Sequence, residues 1–99
     1  MNTEPKSSTP ERITRKCAVL RDMLLAKNQA YGDSALHPIG IFSKGNAAEK
    51  ICIRIDDKLS RIKNNPNAFG EDPLADLLGY LILLQLALED EAAAGKEHP

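Results

Sequence analysis

Tryptophan is absent from this chain of 99 residues, and Tyr and Phe occur only twice each. A core without aromatic volume has to be built from aliphatic side chains, here mostly Leu and Ile. Histidine is equally scarce, with His37 and His98 alone. Cys17 and Cys52 form no CxxC pair, and a zinc site needs more ligands than they supply. These shortages argue against a histidine-based metal centre and a Cys–His nucleophile pair. GxSxG, HExxH and a Ser–His–Asp set are missing too, which disfavours nucleophilic catalysis by Ser or Cys. An excess of one charge is also lacking. Lys plus Arg is 13 and Asp plus Glu is 14, a net charge of −1. Such a chain has no surplus of cations with which to hold nucleic acid by bulk electrostatics.

Long hydrophobic runs are missing as well. The longest apolar stretch, Leu74–Leu88, contains Asp76 and Gln85 and falls short of the roughly 20 residues a bilayer requires. Met1–Ser8 has no apolar region of the kind a signal peptide carries. Both cysteines fall at core positions of predicted helices, where buried reduced thiols are expected. The expectation is a cytoplasmic protein with no membrane partner.

What is present is helical patterning, with no competing strand signal. A disordered N-terminal tail is expected over 1–8, a single helical domain over 9–91 and a flexible C-terminal tail over 92–99. The first helix is expected from Pro10 to Lys27. Ser8-Thr9-Pro10-Glu11 offers a capping box, or Thr9 serves as N-cap with Pro10 at the first helical position. Ile13, Cys17, Leu20 and Leu24 recur at i, i+4, i+7 and i+11 as a core stripe. Gly32 suits a left-handed helix stop, and Asp33 or Ser34 can cap the next turn. The connection 28–45, punctuated by Gly32, Pro38, Gly40 and Gly45, is too long for a simple turn. Long loops in compact domains often carry function.

The second helix is expected from Ala47 to Lys63, with Asn46 and Glu49 as a capping box. Ala48, Ile51, Cys52, Ile55, Leu59 and Ile62 line its apolar face. At about 100° per residue, Glu49, Asp56 and Ser60 flank one side of that face. Lys50, Arg54, Asp57 and Arg61 flank the other. The third helix is expected from Pro73 to Glu91, with Asp72 as N-cap. Leu74, Leu77, Leu78, Leu81, Ile82, Leu83, Leu84, Leu86 and Leu88 cover nearly every side of it. A helix apolar all round is buried all round. Two neighbours cannot cover it in so small a chain, so the fold expected is an all-α bundle of three helices completed by oligomerisation, as a dimer or tetramer.

Asp76 is the strongest single chemical signal, because it stands one turn inside the most apolar helix. A lone carboxylate there is costly unless it is paired or binds a cation. Two readings stand open. One is a salt bridge to Arg54 or Arg61. The other is convergence with Glu49 and Asp56 across two packed helices, with Asp72 nearby. Carboxylates without histidines suit a hard ion such as Mg²⁺, with Mn²⁺ as its substitute. Lys50, Arg54, Lys58 and Arg61 are spaced either as a solvated face or to meet phosphate oxygens, and Asp57 and Arg61 form an i, i+4 pair. Gly40-x₄-Gly45 lacks the Lys and Ser/Thr of a phosphate loop and follows no strand, so that reading fails. Ser43–Asn46 still leads into a helix N-terminus, a generic anion site. Lys27, Asn28 and Tyr31 are left without a structural role. Tyr31 can stack on a base and Asn28 can read its edge.

Three runs in order, K-N-x-x-Y-G-D-S at 27–34, R-I-D-D-K-L-S-R-I at 54–62 and D-L-L-G-Y at 76–80, resemble a family of small phage and prophage proteins, nucleotide modification associated domain one. The resemblance spans residues 17–88. A wider one is to the MazG-like all-α nucleoside triphosphate pyrophosphohydrolases. Leu74–Leu81 is similar to the end of their second acidic motif, with Asp76 as its Asp. Pro73 stands where that motif has Glu, and Asp72 lies one residue earlier. The first motif is represented only by Glu49, Asp56 and Asp57, at different spacing. The resemblance implies a Mg²⁺-dependent pyrophosphohydrolase-like protein in the cytoplasm of a bacterial host. Glu49, Asp56 and Asp76 would be its catalytic acids, and the same three with Asp72 its metal ligands. Lys27, Asn28, Tyr31, Asp33, Arg54, Lys58 and Arg61 would contact the nucleotide. The altered motifs equally suit a module that binds a nucleotide or docks on a partner without catalysis.

Overall fold

The computed structural model describes residues 7–64, 70 and 72–97. Among the described residues the α-helices are α1 (Thr9–Tyr31), α2 (Ala47–Asn64) and α3 (Pro73–Glu97). The fold is all-α, a small bundle-like arrangement with no strand among the described residues.

Each helix begins at a cap that its own sequence supplies. Glu11 N donates to Ser8 Oγ at 3.3 Å, Glu49 N to Asn46 Oδ1 at 2.8 Å, and Ala75 N to Asp72 Oδ1 at 3.1 Å. Each bond satisfies one of the four N–H groups a helix start leaves without an intrahelical partner. Of the two starts expected for α1, the structure shows the one with Ser8 in the capping role. α1 stops at Gly32, whose φ of 63° is left-handed and whose N–H donates to Asn28 O at 2.9 Å. Asn28, Gln29 and Ala30 propagate α1 four residues past Lys27, because nothing before Gly32 opposes it. α3 runs six residues past Glu91, through the strong helix formers Ala92–Ala94. Of the expected N-terminal tail, positions 1–6 lie outside the described residues, as do 65–69 and 71 of the second connection and 98–99.

α2 and α3 pack antiparallel. Ala48 and Ile51, early in α2, meet Ala87 in the buried core, and Tyr80, Leu83 and Leu84 pack around them. Lys58, two turns further along α2, meets Asp76, three turns earlier on α3. Ile51 is 2% exposed, and full burial of such a side chain contributes about 1.5–3 kcal/mol. The connection 32–46 folds back onto this core through Leu36. Lys50 Nζ donates to Ser43 O at 2.8 Å and ties the end of the connection to α2.

α1 leans on α3 alone. Met23 and Leu24 reach over Gly79, where a Cβ would lie 2.9 Å from Leu24 Cδ2, so a larger residue there has the Leu24 methyl to turn aside. No residue of α1 is buried. The expected core stripe is therefore only half used: Leu20 and Leu24 are half-buried, whereas Ile13 and Cys17 are exposed. The reason is geometric, since the early turns of α1 have no second helix beneath them. Cys52 is exposed too, lying about 100° around α2 from the Ile51 face, beyond the reach of α3. Both thiols are free, as expected, but the expectation that they are buried is corrected. None of the described helices is long and apolar enough to cross a membrane.

Candidate functional site

The C-terminal half of α1, the connection 32–46 and the facing surfaces of α2 and α3 enclose a cleft of about 960 Å³. Its cations are Lys27 from α1 and Lys50 and Arg54 from α2. Its carboxylates are Asp33 and Asp76, and Asn28, Tyr31 and Tyr80 add an amide and two aromatic rings. Ile39, Ile41 and Phe42 form an apolar rim, with Phe42 98% exposed.

The α1 side of the cleft is set by the helix stop. Gly32 and Asp33 both take positive φ, 63° and 61°, which turns the chain sharply out of α1. Asp33 then organises the first turn of the connection. Asn28 Nδ2 donates to Asp33 Oδ1 at 3.0 Å, His37 N donates to Asp33 O at 3.1 Å, and His37 Nε2 lies 3.3 Å from Asp33 Oδ2. Asn28 and Asp33 are thus held as a pair beside Tyr31, which remains exposed on the last turn of α1.

Asp76 forms the floor. Its Oδ2 lies 3.2 Å from Lys58 Nζ, and its Oδ1 lies 3.5 Å from Lys27 Nζ. The side chains of Asp76 and Lys58 are 22% and 13% exposed, so this pair is shielded from solvent. Lys27 is 52% exposed and reaches in from the opposite wall. Of the two sequence readings of Asp76, the paired carboxylate is the one observed. Its partners are lysines rather than Arg54 or Arg61, because antiparallel packing brings Lys58 to the level of Asp76. Arg54 lines the cleft instead, and Arg61 Nε donates to Asp57 Oδ2 at 3.0 Å, the expected i, i+4 pair.

The other candidate acids stand apart. Glu49 lies nine residues before Lys58 on α2, about 13 Å along the helix axis. That offset carries it away from Asp76. Its side chain is exposed, with Oε2 3.3 Å from where a Cβ on Gly45 would sit. Asp56 is two residues from Lys58, about 200° around the helix, and is exposed to solvent. Asp72 is engaged as the α3 cap. Among the described residues no group of three or more His, Cys, Asp or Glu side chains converges as a metal site.

Of the residues singled out in the sequence, Lys27, Asn28, Tyr31, Asp33, Lys50, Arg54 and Asp76 therefore share one cleft. Tyr80 and the rim residues Ile39, Ile41 and Phe42 were not anticipated. The apolar Ile39 and Ile41 inside a Gly- and Pro-punctuated connection were the available signal. Neither a family model, nor a curated protein, nor a solved structure matches this chain.

Proposed function

We propose that the chain binds a nucleotide in this cleft, with phosphates on the cations and the base against Tyr31. One observation carries the reading: Lys27, Lys50 and Arg54 share a single concave surface with an exposed tyrosine and the Asn28 amide. Phosphate oxygens take charge-assisted hydrogen bonds from Lys and Arg. An exposed aromatic ring offers a stacking platform to any base, and an amide can read a base edge. The runs at 27–34, 54–62 and 76–80, which resemble the nucleotide modification associated family, contribute Lys27, Asn28, Tyr31, Asp33, Arg54 and Asp76 to the cleft lining. This supports the resemblance as a guide to function.

Asp76 favours a second reading, Mg²⁺-dependent pyrophosphohydrolysis of a nucleoside triphosphate. Mg²⁺ is commonly held by one or two carboxylates together with substrate phosphates, so a full carboxylate cluster is not needed for a metal–nucleotide complex. Asp76 is the shielded carboxylate of the cleft, and Lys27 and Lys58 already lie on its two oxygens. On this reading Asp76 would hold the metal, and Lys27 and Lys58 would pair with phosphate oxygens. Mg²⁺ would supply charge neutralisation and a more acidic bound water.

Calorimetric titration with a panel of natural and modified (d)NTPs, in EDTA and in Mg²⁺ or Mn²⁺, tests the first reading. Saturable binding in EDTA supports it, and no heat with any nucleotide under either condition overturns it. Chromatography of the same mixtures tests the second. Equal release of pyrophosphate and monophosphate, dependent on the metal, selects hydrolysis.

A further inference from the structure

We infer that the α1 wall of the cleft selects a nucleotide with an amino-bearing base, adenine or cytosine, over its keto counterpart, and that Asp33 enforces the choice by orienting Asn28. The inference rests on the nucleotide reading above and names the class of base within it. Asn28 Nδ2 donates to Asp33 Oδ1 at 3.0 Å. A free amide can turn over and exchange its oxygen for its nitrogen, but an ionised carboxylate only accepts. Asp33 therefore permits Asn28 one orientation. Nδ2 faces the carboxylate, and Oδ1 has no donor among the described residues. Both side chains line the cleft together with Tyr31, the exposed ring.

The surroundings make the same wall a surface of acceptors. Asp33 is itself an anion, and the C-terminal end of α1, the negative end of its dipole, lies here with no basic residue in its last turn. Lys27, the nearest cation along α1, lies against Asp76 instead, and Lys50 and Arg54 stand on α2. Acceptors call for donors on the base. Adenine and cytosine each present an exocyclic amine beside an acceptor ring nitrogen. An asparagine amide meets such an edge with its oxygen on the amine and an N–H on the ring nitrogen. Asn28 retains both, Oδ1 and the second N–H of Nδ2. Hypoxanthine and uracil place a carbonyl oxygen where the amine stands, so two acceptors face each other. Guanine offers a ring N–H and an amine side by side, which a carboxylate grips with both oxygens. Those of Asp33 are already engaged, Oδ1 by Asn28 and Oδ2 by His37 Nε2 at 3.3 Å.

Calorimetric titration of the full chain in EDTA with two matched pairs, ATP against ITP and CTP against UTP, tests the assignment. The members of a pair share sugar and phosphates and differ at this one edge of the base. In at least one pair the amino member is expected to bind about tenfold more tightly, within the range of one two-point contact between an amide and a base. Asp33→Asn keeps a residue that tolerates the left-handed backbone, φ 61° at this position. Its amide can accept or donate, so Asn28 is free to turn over, and the tenfold ratio should collapse toward equality. Equal affinity within both pairs overturns the inference and leaves nucleotide binding standing, as does tighter binding of a keto member. No heat with any of the four overturns both. A wild-type preference that Asp33→Asn preserves overturns the orienting role of Asp33. Should that variant lose its helical circular dichroism, Asn28→Ala decides: a preference that survives without the amide overturns the inference.

Discussion

Asp76→Asn tests the electrostatics of the cleft and both functional readings at once. Asparagine keeps the shape and one acceptor oxygen but removes the charge that faces Lys58 and Lys27. Lys27 is half-exposed and 3.5 Å away, so its share of the stability is at most about 1 kcal/mol. Lys58 decides the magnitude. Its side chain is 13% exposed, and an ammonium so shielded cannot recover full hydration when its counter-charge is lost. The loss should fall between that of a surface pair and that of a fully buried one, about 1–3 kcal/mol. A central value near 2 kcal/mol lowers Tm by roughly 8–16 °C in a domain of this size. The assay is a thermal melt by circular dichroism, with variant and wild type at one protein concentration. Ligand binding should move the other way. With a negative charge gone beside Lys27, nucleotide affinity in EDTA should rise several-fold, whereas any gain from Mg²⁺ should vanish. A Tm within a degree of wild type would refute the view that the Lys58–Asp76 pair contributes to the fold. Weaker binding in EDTA would refute the view that the cations hold the phosphates.

Three further positions probe the walls of the cleft. Gly79→Ala is expected to shift Tm by only a few degrees, because a gain of about 1 kcal/mol in helix propensity offsets the cost of turning the Leu24 methyl aside, about 0.5–1.5 kcal/mol. Gly79→Val overpacks the same contact by about 1–3 kcal/mol and should also weaken nucleotide binding by displacing α1; a valine variant that melts and binds like wild type would place α1 elsewhere. Gly32→Ala meets no atom within 4 Å, so its cost is the left-handed backbone alone, about 1 kcal/mol, read as a Tm lower by roughly 4–8 °C. Tyr31→Ala removes an exposed ring, so stability should stay within about 0.5 kcal/mol while calorimetry shows a loss of about 1–3 kcal/mol in nucleotide binding; unchanged affinity would remove the base from that wall.

Much of this molecule is legible along the chain. Asn46 with Glu49, Asp72 with Pro73, and Gly32 marked two helix starts and a helix stop, because caps and left-handed turns are made by atoms within four residues of one another. The 3.6-residue period of Ala48, Ile51, Ile55 and Ile62 identified the face of α2 that meets α3. Lys27, Asn28 and Tyr31 stood out because helical geometry left their polar groups without a task, and all three line the cleft. Tertiary structure decided the rest. Asp76 and Lys27 are 49 residues apart, and their meeting depends on how α1 crosses Gly79. Lys58, rather than Arg54 or Arg61, reaches Asp76 because of the register at which α2 slides along α3. The same register holds Glu49 about two and a half turns away from Asp76. Ile13 and Cys17 carry the core period of α1 yet stay exposed, since periodicity records which face a helix would bury but not whether a neighbour is there to bury it. Local hydrogen bonding acts over one turn and can be read residue by residue. Packing sums weak contacts between segments far apart in sequence, and only the folded chain determines which of them come together.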